Sequence, residues 1–165
     1  MKSLTVLLSA LVLLCAAGCA PKITSLQRKT AANLASEAQF ALTLRDWPRA
    51  EDLLQKATAL CPDNGEYWLN LGTVRRRTDN LAGARKAYVS AAKTYGTAYK
   101  AGDRQEPQLL LQQVYVYSLL GQNKDAQKVL KQARADHPDY PGVRNFTDDA
   151  LARMLSEPNF KALAL

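Results

Sequence analysis

Cys15, Cys19, Cys61 and His137 are the side chains of this chain with the widest chemical repertoire. A thiolate can act as a nucleophile or a metal ligand, and an imidazole can move protons or hold a metal. A single histidine leaves no His-pair metal site, and a Ser/His/Asp triad would depend on one turn residue, His137, directly before Pro138. Asp148 and Asp149 are adjacent, so on a helix they do not face each other; they suit an early helical turn better than paired acid–base work. The chain carries no GxGxxG, Walker loop, CxxC, HExxH or serine elbow. Neither enzyme activity nor a metal or cofactor is expected.

The setting of Cys19 gives that thiol a different role. Lys2 supplies a positive start, Val6 to Leu14 is an apolar run interrupted only by Ser9 and Ala10, and Cys15-Ala16-Ala17-Gly18 leads into Cys19. This is the pattern of a secretory signal over residues 1–18, and the run is well short of the roughly 20 residues a spanning helix needs. Ala16-Ala17-Gly18-Cys19 resembles the bacterial lipobox, although Ala16 stands where leucine is commoner. The resemblance implies diacylglycerol on the Cys19 thiol, cleavage just before it, and a lipid-anchored protein, because two or more chains give stable anchoring. Cys15 does not compete, since the bulky Leu14 precedes it. Ala20, in place of the aspartate that favours inner-membrane retention, implies an outer-membrane protein facing the periplasm. The inner membrane and the cell surface stay open.

Removing residues 1–18 from the 165 takes away Lys2 and no acidic group, so the formal charge falls from +7 to +6. Export disfavours nucleic acid as the partner of this basic chain; anionic head groups, envelope polymers, an acidic protein face or a merely solvated surface fit better. Cys61 is then the one unmodified cysteine. It can pair with another molecule or pack as a small buried side chain.

What must position any site is a repeat. Ala50-x3-Leu54-x2-Ala57, Ala84-x3-Tyr88-x2-Ala91 and Ala126-x3-Leu130-x2-Ala133 share one spacing. Ala50 and Ala84 lie 34 positions apart, Ala84 and Ala126 lie 42 apart, and Cys61-Pro62-Asp63 is echoed by His137-Pro138-Asp139. Small residues at that spacing let helices approach closely, with Leu54, Tyr88 and Leu130 filling gaps between units. Asp46, Asn80 and Asn123 are placed to cap the second helix of each unit, and Asp63 or Asn64 the helix holding Trp68. The architecture expected is all-α.

A 34-residue period with Trp68-x2-Leu71-Gly72, Ala84, Tyr88 and Ala91 resembles the tetratricopeptide repeat. The middle unit departs from that pattern at Arg75 and Gly96; the third keeps Tyr117 and Gly121. The resemblance implies a helical-hairpin solenoid of about three repeats with a C-terminal capping helix. Its units would be residues 31–64, 65–98 and 107–140, with an insertion at 99–106, a lipidated tether at 19–30, a cap at 141–156 and a loose tail at 157–165. The tether would reach about 35 Å if extended, at roughly 3.3–3.6 Å per residue.

Arrays of this kind bind protein segments on the concave face lined by the first helix of each unit. By resemblance that face holds Gln39 and Leu42, then Leu69, Thr73, Arg76 and Arg77, then Gln108, Leu111 and Tyr115. Arginines pair with carboxylates and Tyr115 offers an amphipathic contact, although cations such as Arg75-Arg76-Arg77 also suit a helix C-terminus. Leu69 and Thr73 occupy the places of the Lys-and-Asn carboxylate clamp found in some chaperone-binding relatives, which disfavours that function. The expected function is a membrane-anchored scaffold for assembling an envelope complex such as a pilus, a secretin or outer-membrane machinery. The alternative is an accessory subunit recruiting a periplasmic cell-wall or polysaccharide enzyme; a catalytic lipoprotein is disfavoured.

Overall fold

The computed structural model describes residues 22–165, so residues 1–18, read above as a signal, and Cys19 lie outside the described residues. The described chain is a helical-hairpin solenoid. Its helices are α1 (Ser25–Thr43), α2 (Trp47–Leu60), α3 (Gly65–Arg77), α4 (Leu81–Ala101), α5 (Pro107–Leu119), α6 (Asn123–Asp136), α7 (Pro141–Asn145), α8 (Asp148–Ser156) and α9 (Pro158–Lys161). The hairpins α1–α2, α3–α4 and α5–α6 stack through α2 on α3 and α4 on α5, while α7 packs on both α5 and α6.

Each hairpin turns in the same way. Arg45, Asp79 and Gly121 hold φ of +58°, +61° and +69°, and they recur at the repeat offsets. The next amide reaches back five residues: Asp46 N–H to Ala41 O at 2.9 Å, Asn80 to Arg75 at 2.8 Å, Gln122 to Tyr117 at 2.9 Å. This is the six-to-one closure of a helix ending on a left-handed residue. The residue making it also opens the next helix. Asp46 accepts from Arg49 N–H and Asn80 from Gly83 N–H. The third cap differs from expectation, because Asn123 is the first helical residue and the capping place falls to Gln122, which makes no side-chain cap bond. Asn64 caps α3, accepting from Glu66 and Tyr67 N–H.

The alanines do what their spacing predicts. Ala50, Ala57, Ala84, Ala91, Ala126 and Ala133 are at most 1 % exposed, as are Leu54, Tyr88 and Leu130. Gly72 is the tightest point: a Cβ there would stand 2.4 Å from the Tyr88 ring. No side chain larger than hydrogen fits without moving that ring. Cys61 is buried beside Ala31 and Ala57.

The structure differs from three expected bounds and shows the course of the insertion. The first helix starts at Ser25, six residues into the expected tether. Thr24 accepts from Gln27 N–H while Gln27 Oε1 accepts from Thr24 N–H, a capping box that fixes this start. The insertion lengthens α4 to Ala101 and then turns through Asp103 and Arg104, both left-handed. The cap breaks at Phe146-Thr147 into α7 and α8, because Thr147 accepts from Ala150 N–H and starts a new helix with Asp148 and Asp149 in its first turn. The tail is not loose: α9 forms within it, Phe160 is buried, and residues 163–165 hydrogen-bond to the repeats. Among the described residues no helix is long and apolar enough to cross a membrane.

Candidate interaction face

Side chains at i, i+3, i+4 and i+7 share one side of a helix. Leu69, Thr73 and Arg76 follow that spacing on α3, as do Gln108, Gln112, Tyr115 and Leu119 on α5. The two rows make one face with two different ends.

At one end the face is filled by the chain's own tail. Phe160 inserts among residues of α4 and α5 and meets the Tyr115 ring edge-on, with centroids 5.7 Å apart and planes at 77°. Three hydrogen bonds follow. Tyr88 Oη–H donates to Leu163 O at 3.0 Å, Arg76 Nε–H donates to Ala164 O at 2.8 Å, and Leu165 N–H donates to Leu119 O at 2.8 Å. The last of these satisfies a carbonyl at the end of α5, where helices leave carbonyls without intrahelical partners. All three bonds go to main-chain atoms of the tail. Burial pushes the Tyr88 and Tyr115 phenols up from their ordinary values, so both stay protonated at neutral pH.

The other end is an open cleft of about 520 Å³ with a mixed polar and apolar lining, including Glu66, Leu69 and Asn70 of α3 and Gln108 and Gln112 of α5. Arg28 closes its rim with a forked pair to Asp63, Nη2 to Oδ2 at 2.7 Å and Nη1 to Oδ1 at 3.3 Å.

The residues singled out by sequence therefore divide. Arg76 and Tyr115 meet at the filled end, and Thr73 sits between them and the cleft on α3. Leu69 and Gln108 meet at the open cleft. Arg77 lies over the Trp47 ring at 5.5 Å, a cation–π contact that ties α3 to the start of α2. Arg75 also turns back to α2, its Nε 2.8 Å from Glu51 Oε1. The three consecutive arginines thus have three different partners. Leu111 packs into the core around α6 and α7, against Gly142, and not along the face. Gln39 is exposed on α1, outside both ends, and Leu42 packs in the core of α1–α3. Sequence reasoning missed the hydroxyl of Tyr88 and the segment Phe160–Leu165. The signal for the latter was present: Phe160, Leu163 and Leu165 are apolar where a solvated tail would be polar.

The one histidine has a structural role. Tyr99 Oη–H donates to Asp136 Oδ2 at 2.8 Å, and His137 Nε2 lies 2.9 Å from Tyr99 Oη. With the phenol proton given to Asp136, the imidazole donates from Nε2. Burial, and then Asp136, push the Tyr99 phenol up to about 12. The bond from Tyr99 holds the Asp136 carboxyl below its ordinary value, helped by Gln132. A phenol that keeps its proton is a poor nucleophile, so this cluster pins the long α4 to the turn after α6. Burial likewise raises the Cys61 thiol, with Arg28 opposing, which keeps it unreactive. Among the described residues no group of three or more His, Cys, Asp or Glu side chains is placed to hold a metal ion.

Residues 36–105 match the family model of the tetratricopeptide repeat. The match runs from within α1 to the loop after α4. The α5–α6 hairpin lies beyond it, yet repeats its turn geometry and alanine spacing. A tetratricopeptide repeat is typically a non-catalytic protein-interaction scaffold. Comparison with curated proteins gives no match to the chain.

Proposed function

We propose that this chain is a membrane-anchored tetratricopeptide scaffold that mediates protein–protein interaction in the assembly of an envelope complex. The observation that carries the reading is the tail on the α3–α5 face, a protein segment held by main-chain hydrogen bonds and one aromatic insertion. A face that holds one such segment has the donors and the slot to hold another. In this reading it is the concave face of the array. The lipobox resemblance at Cys19 supports the anchor, and through it a place on the periplasmic side of the outer membrane.

Two experiments test the reading. Cells expressing the full-length chain are crosslinked, and the membrane-extracted protein is captured with whatever it holds. Arg76→Glu with Tyr115→Ala should lower partner capture about tenfold or more, the scale set by a lost charged hydrogen bond and a lost aromatic contact. Capture that survives both changes would end the case for this face. The Cys19→Ala protein should leave the membrane fraction; if it stays there, the lipid anchor is wrong.

A further inference from the structure

We infer that the segment Phe160–Leu165 is a built-in imitation of the partner. The α3–α5 face recognises an apolar protein segment that makes a helical turn, with an aromatic side chain followed by aliphatic ones three and five residues later, and such a segment binds by displacing the tail. This inference rests on the scaffold reading above and names the partner's chemistry.

The tail shows what the face reads. Its polar contacts are to the Leu163 and Ala164 carbonyls and the Leu165 amide. Any chain that makes the same helical turn after an aromatic residue can supply the same acceptors at the third and fourth positions. Selectivity then falls on the side chains, chiefly the aromatic slot beside Tyr115 that takes Phe160. The charged side chain within the segment, Lys161, is exposed and makes no demand on the face.

The same face resists being empty. Tyr88 is wholly buried with the tail in place, and its hydroxyl donates to Leu163 O. Arg76 is half-buried and donates to Ala164 O. Removing the tail without a replacement would break these three bonds and expose the apolar residues around Phe160 to water, which is unfavourable. Exchange for another segment with the same main-chain groups restores all three bonds. The tail is also poorly fixed by itself: α9 has four residues, far below the length at which a helix persists alone. Its position depends on the docking, which suits a displaceable ligand.

The test uses the full-length chain and a labelled peptide of residues 157–165 with an amidated end. Fluorescence anisotropy should show the peptide binding Phe160→Ala/Leu163→Ala protein at least about tenfold more tightly than the unaltered chain. Adding Arg76→Ala to that double variant should cost about tenfold, and a scrambled peptide should not bind. Equal binding to the unaltered and tail-weakened chains, indifference to Arg76→Ala, or equal binding of the scrambled peptide would each overturn the inference. Circular dichroism checks that the variants keep their helix. Should they unfold, hydrogen exchange of the Leu165 amide in the unaltered chain decides: millimolar peptide should speed it, and an unchanged rate overturns the inference. Tail exchange between two copies would appear as a dimer in sedimentation, lost in Phe160→Ala, and would also overturn it. Partner capture that depends on Arg76 and Tyr115 but survives excess tail peptide would sink this inference and leave the scaffold reading standing.

Discussion

The two halves of the solenoid hold together by different means. From α1 to α4 the period is strict and the tightest points come from what is missing, alanines without bulk at each crossing and Gly72 beneath the Tyr88 ring, with the Arg28, Arg75 and Arg77 side-chain ties added at the surface. From the end of α4 onward the period is broken, and to the close approach at Ala126 and Ala133 are added polar pins and an inserted tail. Tyr99 reaches Asp136 and His137, Arg134 reaches Asp148 and Phe146 O, and the tail is laid across α3 to α5. Close approach fixes helix geometry but offers nothing to exchange. Polar pins and an inserted tail fix geometry through groups that can find other partners. The exchangeable surface of this molecule lies where the second kind of cohesion takes over.

The largest expected effect attacks the close-packed half. Gly72→Ala places a methyl where the fully buried Tyr88 ring stands, at 2.4 Å. Overpacking of this kind should cost about 3 kcal/mol, read from the urea midpoint, with Trp47 and Trp68 reporting on this half. A loss below about 1 kcal/mol would mean that the interlock is soft and the contrast false.

High pH attacks both halves together. Tyr95, packed against Gly65, and Tyr99, in the pin, both hold their protons up to about 12. A folded-state pKa above the unfolded value near 10 stabilises fully below pH 10, and the gain is lost as pH rises through 12. Unfolding monitored across that window should therefore show stability falling steeply from pH 10 upward. Tyr99→Phe should remove part of the slope and leave the Tyr95 part.

At neutral pH the same Tyr99→Phe change should cost about 1.5 kcal/mol, the scale for a lost hydrogen bond to a charged acceptor. Its hydrogen-exchange signature should be confined to α6, α7 and the end of α4. Asp136, whose carboxyl the phenol holds below 3.8, adds a sign check. Its contribution is present above that value and lost as pH falls through the lower folded pKa, so Tyr99→Phe protein should show a shallower acid decline. The smallest effect should come from Arg75→Ala, which removes a partly exposed ion pair with Glu51; about 1 kcal/mol or less is expected from thermal melts.

Local rules made the close-packed half legible. The alanine spacing, the caps at Asp46, Asn64 and Asn80 and the period itself are all written within one or two turns of chain. The capping box at Thr24 was equally local, yet apolar periodicity strong enough to draw notice begins at Ala31. Leu111 was placed on the face by resemblance, and in the structure it packs with the core around α6 and α7; Leu109 to Val116 is apolar nearly all round, so period alone does not orient α5. The docked tail was illegible for a different reason. Its partners Arg76 and Tyr88 lie 88 and 75 residues away in sequence, and no local pattern encodes such a pairing. The site residues divided along the same line: Arg76, Tyr115, Leu69 and Gln108 were named through the resemblance to the repeat family, while Phe160 needed the folded chain.

One short connection carries a further consequence. Glu157 alone separates α8 from α9, so the tail stays near its slot whether docked or not. A ligand on so short a tether acts at an effective concentration on the order of millimolar. An outside segment must outbid that local supply, which turns the face into a threshold detector that ignores weak matches at any ordinary abundance. Each change of about 1.4 kcal/mol in the hold on Phe160–Leu165 would move the threshold tenfold. Substitutions in six tail residues could thus retune how the scaffold responds without altering a single residue of the face.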